Sequence, residues 1–407
     1  MLSRPFISLY VAVFVATMGI SMVSPLLPVY AKELGASGVW LGLTFSIFAV
    51  VQAVVGPFAG RLSDRYGRKP FIIAGLLIYM VAAVGYLTAQ SFAQVIAFRA
   101  FSGLGTSFVF SVARAYVGDM TPPGQEGRWL GAFATADIIG FGTGPLIAGV
   151  LRQEVGFRSV FVAMALLLGF SALIIAMWLP RQIPHYGGPG RRPQESRVQM
   201  SFGDALRDPL VLALTVHFGL LSVASGASFS FLALRLEDGL GAAPIMIGIA
   251  FATQDLTGGV AQPFWGRIAD RYDRRPLVAI GLMLNAALLV ALGFVPTYTI
   301  AIVVLLAMGG AGGLANVAAS AIQVVAGRRA GMGTVLGLGS AGGGVGIVVG
   351  SVVGGLLVDI SGIPAAFLFG GLVMAAGVPF FLWLTRGLAT SEGAGAIEAA
   401  PAAAGGS

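Results

Sequence analysis

Two carboxyls stand where a carboxyl is hard to keep. Asp137 lies nine residues beyond Arg128, inside a long apolar run, and Asp255 lies 11 residues before Gly266, inside another. At 1.5 Å of helical rise per residue these depths are about 13 Å and about 16 Å. An ionisable group so deep in an apolar span is costly, about 2.5–3.5 kcal/mol for Asp, and is by default a functional candidate. The chemistry open to it is proton exchange: neutral when dry, ionised when its side opens to water. On a helix Asp137 shares a face with Gly140 and Gly144, and Asp255 with Gly248, Gly259 and Gln262. The plainer alternative is a structural Asp held by Arg114, or by hydroxyls such as Thr135 or Thr143. His217 is the one histidine inside an apolar run. With a reference pKa of about 6.5 it is a third proton-handling candidate.

These groups need an apolar solvent, and the composition supplies one. Apolar residues make up 57% of the 407-residue chain and charged residues 10%, against about 45–50% and about 25% in soluble domains. So few charges cannot cover a water-facing surface, so lipid is the solvent for most of the chain. The 60 glycines agree, since Gly is tolerated in membrane helices and lets backbones approach. Spanning a bilayer takes about 20 apolar residues. Twelve such runs can be read, near 6–30, 38–59, 71–89, 93–117, 129–151, 158–179, 210–233, 243–265, 277–295, 298–325, 332–358 and 363–385. Helix is the predicted state, because a lipid-facing backbone must satisfy its own hydrogen bonds. Barrel strands would be half as long and alternating. The first run is too long for a signal-peptide core and reads as a retained span.

Twelve spans put both termini on one side. That side collects 18 of the 24 Lys and Arg, so the positive-inside bias makes it cytoplasmic. The net charge of +7 therefore reflects topology, and no nucleic-acid partner is predicted. Arg114 alone looks buried in a span, and Arg99, near an outer span end, reads as structural. The expected division is an N-terminal six-helix unit over 1–180, a Pro-, Gly- and Arg-rich irregular linker over 181–208, a C-terminal six-helix unit over 209–386 and a small-residue disordered tail over 387–407. The end of the linker, SFGDALRD, could form one short turn of helix with Ser201 as its N-cap.

The chain repeats itself. GRLSDRYGRKP from Gly60 returns as GRIADRYDRRP from Gly266, an offset of 206; over 56–76 against 262–282, eleven of 21 positions are identical. Gly131, Gly140, Gly144-Pro145 and Ala148-Gly149 return at the same offset as Gly337, Gly346, Gly350-Ser351 and Gly354-Gly355. Two motifs in one register indicate a duplicated six-helix unit, an organisation that in transporters places the substrate site at mid-membrane between the halves.

On these residues the chain resembles the major facilitator superfamily. GRLSDRYGRKP is similar to that family's signature between its second and third helices. GAFATADIIGFGTGPLIAG, with Gly131, Gly140, Gly144, Pro145 and Gly149, is similar to the fifth-helix signature of its proton-coupled exporters. RAFSGLG from Arg99 and SPLLPVY from Ser24 resemble its fourth-helix and first-helix patterns, the latter that of twelve-helix drug/proton antiporters. The resemblance implies an all-α membrane fold of twelve helices in two pseudo-symmetric six-helix bundles. It implies an inner-gate latch built on Asp64, Arg68 and Asp119, with Gly60, Arg65 and Gly67 in the same turn and Asp270, Arg271 and Arg274 in its second copy. It implies a cavity lined by helices 1, 4, 7 and 10, making Arg114, His217 and Asn316 substrate-contact candidates, with Gln323, Gln52 and Gln254 as further polar groups. Gly140, Gly144 and Ala148 form a small-residue stripe, and the family expectation sets it against helix 8.

Local expectations follow. Gly60 should let helix 2 approach a neighbour, Pro70 suits the first turn of helix 3, and Asp64 favours that helix's positive end. Asp273 stands where the first copy has Gly67, an exchange that is tolerable because Asp can visit a left-handed turn. Ser351, replacing Pro145, should leave helix 11 without the softening that Pro145 gives helix 5.

Other classes find little support. The chain has no Cys, so it has no disulfide or thiolate chemistry. Its two His are far apart, no metal-ligand spacing appears, and Lys32 and Lys69 follow no phosphate-loop glycines. No enzyme activity, metal or cofactor is predicted. The expectation is a proton-coupled antiporter exporting small amphipathic or lipophilic compounds from the cytoplasm, monomeric, multi-pass in the cell's inner membrane. A lipid or glycolipid flippase and a specific metabolite or sugar exporter are the alternatives on the same fold.

Overall fold

The computed structural model describes residues 4–122, 125–180 and 200–387. The linker expected over 181–208 falls outside the described residues up to position 199, and the expected tail does so beyond Gly387. The elements are α1 (Arg4–Val23), α2 (Leu27–Glu33), α3 (Gly38–Tyr66), α4 (Arg68–Thr88), α5 (Phe92–Met120), α6 (Glu126–Glu154), α7 (Phe157–Trp178), α8 (Phe202–Ala205), α9 (Pro209–Leu240), α10 (Pro244–Arg271), α11 (Arg274–Phe294), α12 (Tyr298–Ala330), α13 (Met332–Ser361) and α14 (Ile363–Leu384). Each of the twelve apolar runs is helical, the first being broken at residues 24–26 between α1 and α2. Among the described residues eleven helices, counting α1 with α2, are long and apolar enough to cross a membrane. The long helix outside that set is α10, 28 residues. Its hydropathy is lowered by Gln254, Asp255, Gln262, Arg267, Asp270 and Arg271.

The packing repeats as the sequence does. In the first set α1 lies on α6 and α7, α4 on α5 and α7, and α3 on α5. In the second, α9 lies on α13 and α14, α11 on α12 and α14, and α10 on α12. Shifting the first set by 206 residues reproduces the second. Two main seams join the sets, α3 against α13 and α6 against α10, and these too exchange under the same shift.

Glycine sets the closeness of both seams. A Cβ on Gly248 would strike the Pro145 carbonyl, and a Cβ on Gly42, its repeat counterpart, would strike the carbonyl of Ser351, the counterpart of Pro145. One turn further out, Gly149 lies on the Pro244 carbonyl and Gly355 on the Gly38 carbonyl, again as counterparts. Ser351 uses its hydroxyl at the seam, 2.7 Å from the Ser46 hydroxyl. Polar contacts then close the end opposite the arginine-rich turns. Arg152 makes two bonds to Glu237, at 2.7 and 2.6 Å, and lies 3.8 Å from Glu33. Lys32 meets Asp238 at 2.5 Å. The Asp359 carboxylate accepts from the backbone N–H of Gly38 and Val39 at 2.6 and 3.0 Å, using donors that the first turn of α3 leaves free.

At the arginine-rich end the sets part. A Cβ at Gly60, Gly131 or Gly266 would meet nothing within 4 Å, and Phe58 and Phe264 are 65% and 57% exposed. The expectation that Gly60 brings helix 2 against a neighbour is therefore corrected: here Gly60 faces open space and gives its carbonyl to the Ser63 hydroxyl at 2.7 Å. The molecule is shut at one end and open at the other.

Three further expectations meet the geometry. The stripe of Gly140, Gly144 and Ala148 does not face helix 8. Gly140 and Gly144 lie on α1, against Thr17, Met18 and Ser21. Their counterparts Gly346, Gly350 and Gly354 lie on α9 in the same way. The stripe packs each half internally, and the face of α6 that meets α10 is Ile138, Gly142, Pro145 and Gly149. Asp273 is not left-handed: its φ is −58°, and its side chain caps α11 by accepting from the Arg275 N–H at 3.1 Å. Gly67, with φ +93°, makes the tighter joint that only the first copy has. Ser201 caps α8 as expected, accepting from the Asp204 N–H at 3.1 Å.

Substituting Gly42 or Gly248 by Val should open the closed end. Overpacking at such a contact costs about 1–3 kcal/mol, a shift of roughly 5–150-fold in the closed-to-open ratio. The chain has no cysteine of its own, so a Lys32→Cys/Asp238→Cys pair reports closure by bis-maleimide cross-linking without background. Cross-linking should fall in either Val variant; an undiminished yield would show that the seam accommodates a side chain.

Candidate functional site

Between the halves, on the open side of the α6/α10 seam, lies a cavity of about 370 Å³. α6 contributes Asp137, Ile138 and Phe141. α10 contributes Gln254, Asp255, Gly258, Gly259 and Gln262, α11 contributes Asn285, and α12 contributes Met308, Gly309, Gly312, Gly313 and Asn316. The two carboxyls singled out by depth thus come from opposite halves and face one cavity. They do so because Ile138 lies against Gly259, which sets the turn after Asp137 beside the turn after Asp255.

Their surroundings differ. Asp137 is held from two neighbouring helices: the Thr17 hydroxyl of α1 donates to one oxygen at 3.2 Å, and the Arg114 guanidinium of α5 lies 3.6 Å from the other. The hydroxyls first considered for this task are engaged elsewhere, Thr135 with Tyr10 at 2.9 Å and Thr143 with the Ile139 carbonyl at 2.7 Å. Asp255 makes no ion pair or hydrogen bond among the described residues. One acid is therefore paired within its own half while the other is free to take up a proton or a cationic group.

Of the polar candidates from sequence, Gln254 and Asn316 line the cavity together with the two acids. Arg114 is drawn into the site through its ion pair with Asp137. Gln52 and Gln323 are not among the lining residues; Gln323 is buried, its amide beside Gly339 between α12 and α13. His217 is corrected. It is 3% exposed, with the rings of Phe218 and Phe381 at 5.1 and 5.7 Å, inside the second set of helices rather than in the cavity. Its face of α9 turns toward α14, which a helix count does not reveal. Arg99 is buried as a structural residue, its guanidinium 4.2 Å from the Phe48 ring centroid.

The charged turn after α3 forms a compact network. Arg68 pairs with Asp64, lies 3.0 Å from Asp119 and donates to the Ser63 hydroxyl at 2.9 Å. It so ties together the end of α3, the start of α4 and the end of α5. Arg65 lies over the Tyr66 ring at 5.5 Å. The second copy is built differently. Val325 stands at the repeat position of Asp119, and Arg274 donates to the carbonyls of Ala269 and Ala321 at 3.2 and 3.5 Å. Asp270 and Arg271 are exposed.

Sequence reasoning missed Asn285, Thr17 and the Arg152–Glu237 pair. Asn285 carried a usable signal, being the one uncharged hydrogen-bonding side chain in α11. Thr17 carried none, because a hydroxyl in a membrane helix usually bonds its own backbone.

Known proteins give the architecture its context. The family model described as Major Facilitator Superfamily matches residues 9–238 and 216–404. The multidrug resistance protein MdtG of Enterobacter lignolyticus is 27% identical over 296 residues, 71% of this chain and 70% of that one. An uncharacterized MFS-type transporter of Methanocaldococcus jannaschii is 24% identical over 381 residues, 93% of this chain and 97% of its own. Among solved structures, the bacterial homolog of the human lysosomal transporter Spinster, inward-facing and occupied, superposes with a TM-score of 0.76 at 17% identity, over 94% of this chain and 96% of that one. The duplicated bundles, the two seams and the family match over nearly the whole chain lead to one conclusion: the chain belongs to the Major Facilitator Superfamily and is a multi-pass membrane transporter.

Proposed function

We propose that this protein exports small amphipathic or lipophilic compounds in exchange for protons, by alternating access, as a monomer in the inner membrane with its arginine-rich turns and both termini in the cytoplasm. One observation carries the reading: Asp137 and Asp255, from opposite halves, line the same cavity beside the seam about which the halves would rock. The name of the MdtG relatives supports the multidrug class.

The steps follow from the groups present. In the arrangement described, the cavity opens toward the arginine-rich side and can load substrate from the cytoplasm or the inner leaflet. Asp255, with no protein partner, is the group whose proton is displaced when substrate occupies the cavity. Asp137 is held within its own half by Arg114 and Thr17. Opening the far end requires breaking Arg152–Glu237 and Lys32–Asp238 and parting the glycine contacts of the seams. The free faces at Gly60, Gly131 and Gly266 are then available to close the arginine-rich end. A proton entering from outside re-protonates the vacated acid, and its inward movement supplies about 2.3 kcal/mol per 100 mV of membrane potential. The Asp64–Arg68–Asp119 network keeps three helix ends moving as one body during closure.

In proteoliposomes with an imposed pH gradient, Asp137→Asn and Asp255→Asn should each abolish uphill substrate accumulation. Asp255→Asn should retain downhill exchange. Gradient-driven transport surviving in both variants would remove the carboxyls from the coupling step. Asp119→Asn should lower the transport rate roughly tenfold, the cost of a charge-assisted hydrogen bond of about 1.5 kcal/mol, with normal amounts of inserted protein. An unchanged rate would leave the Arg68 network a purely topological feature.

A further inference from the structure

The cavity does not stop at the seam between the halves. It runs sideways into the second set of helices, between α10, α11 and α12, where Gly258, Gly309, Gly312, Gly313 and Asn285 line it. The duplicated fold offers an internal comparison. Subtracting 206 from these positions gives Gln52, Gly103, Thr106, Ser107 and Tyr79. In the first half Tyr79, Thr106 and Ser107 are fully or almost fully buried, with exposures of 0%, 0% and 1%. The same place is therefore filled in one half. In the other it is emptied by four exchanges to smaller residues, Gly103 and Gly309 being glycine in both.

The emptied space is polar and incompletely satisfied. Asn285 Oδ1 and Trp265 Nε1 are buried and have no hydrogen-bond partner among the described residues. Trp265 is not itself a lining residue: its indole edge lies against Gly313, a glycine of the cavity wall with no side chain to cover it. Gly312 lies beside the Asn285 amide. Gln262 and Asn316 complete the wall. Native structures seldom leave such atoms unpaired unless something else pairs them. An indole N–H needs an acceptor and a carbonyl oxygen needs a donor. A hydroxyl or a primary carboxamide supplies both, whereas a carboxylate supplies no donor and an ammonium no acceptor.

We infer that this pocket is a substrate subsite that takes an uncharged group able both to donate and to accept a hydrogen bond, a hydroxyl or carboxamide, held by Asn285 and Trp265. The inference rests on the reading of the cavity as the substrate site and narrows its substrates to amphipathic compounds bearing such a group. Specificity of this kind comes from the penalty on a compound lacking the group, which leaves the buried atoms unpaired.

The test is equilibrium binding to the purified full-length protein in lipid nanodiscs. The probes are propranolol, a lipophilic amine with one hydroxyl, and its analogue lacking that hydroxyl. Wild-type protein should bind the hydroxyl compound about tenfold or more tightly than the analogue. Asn285→Leu and Trp265→Phe should each bring the ratio toward one, the loss falling on the hydroxyl compound. Gly312→Thr, which restores the residue of the first half, should weaken the hydroxyl compound by filling the pocket. Equal affinities in wild type, no binding of the hydroxyl compound, or an undiminished ratio in both side-chain variants would overturn the subsite. Transport without proton coupling, with the preference intact, would instead overturn the antiport reading and leave the subsite standing.

Discussion

Backbone meeting backbone across two seams is the constraint on which the rest depends. Where Gly248 faces the Pro145 carbonyl and Gly42 faces that of Ser351, the helices are closer than any side chain permits. Lipid offers no hydrophobic drive for helices to associate, so close packing and polar contact must do it. Such a contact is either made or broken, since a Cβ-sized gap forfeits the dispersion gained. In the proposed cycle the seams act as two-position joints, so that closure at one end of the molecule goes with opening at the other. The open cavity and the open faces at Gly60 and Gly266 go with the joint's position in this structure.

Duplication supplies two such joints but chemistry at only one. The α6/α10 seam carries Asp137 and Asp255. At the corresponding places beside the α3/α13 seam stand Gly343 and Ala49, and the polar contacts across that seam are the Ser46 and Ser351 hydroxyls and, at its closed end, Asp359 with the Gly38 and Val39 N–H groups. The same asymmetry governs the pocket behind the acids, filled by Tyr79 in one half and opened around Asn285 in the other. In the proposed cycle hinging needs both copies alike, and the proposed subsite needs them different. The Arg68 network shows a third form of the divergence, because Val325 leaves no carboxylate for Arg274 to find on α12.

What could be read from sequence was whatever a one-dimensional register determines. The repeat offset, the helical runs and the Ser201 cap depend on spacing, and the structure agrees with each; the two acids chosen by their depth in the runs line one cavity. What could not be read was the azimuth of each helix against its neighbours. A stripe such as Gly140, Gly144 and Ala148 announces close approach without naming the partner, and the partner is α1. His217 has the depth of a cavity residue and the orientation of a core residue. Asp273 shows a subtler limit: residues at equivalent repeat positions need not share a backbone conformation, because a capping carboxylate can end the turn that a left-handed glycine ends in the other copy. Asn285 escaped notice because it is a lone neutral group in an otherwise apolar span, with no charge, motif or matching residue in the repeat to mark it.

The pair Lys32–Asp238 shows why the copies had to diverge at the closed end as well. The two residues are separated by the repeat offset itself, 206, so each is the other's counterpart and the pair lies close to the pseudo-twofold axis. Any residue there faces its own copy. Identical copies would set Lys against Lys or Asp against Asp, a repulsion opposing closure. Attraction on the axis is possible only when one copy has changed sign, and the Arg152–Glu237 pair beside it likewise has no charged counterpart, Val358 and Ala31 occupying the equivalent positions. Lys32–Asp238 is open to water, where an ion pair contributes about 0–1 kcal/mol, whereas Arg152 is largely buried and bonds Glu237 twice. In the proposed cycle the exposed pair is enough to bias an end that closes and reopens, and small enough not to hold it shut.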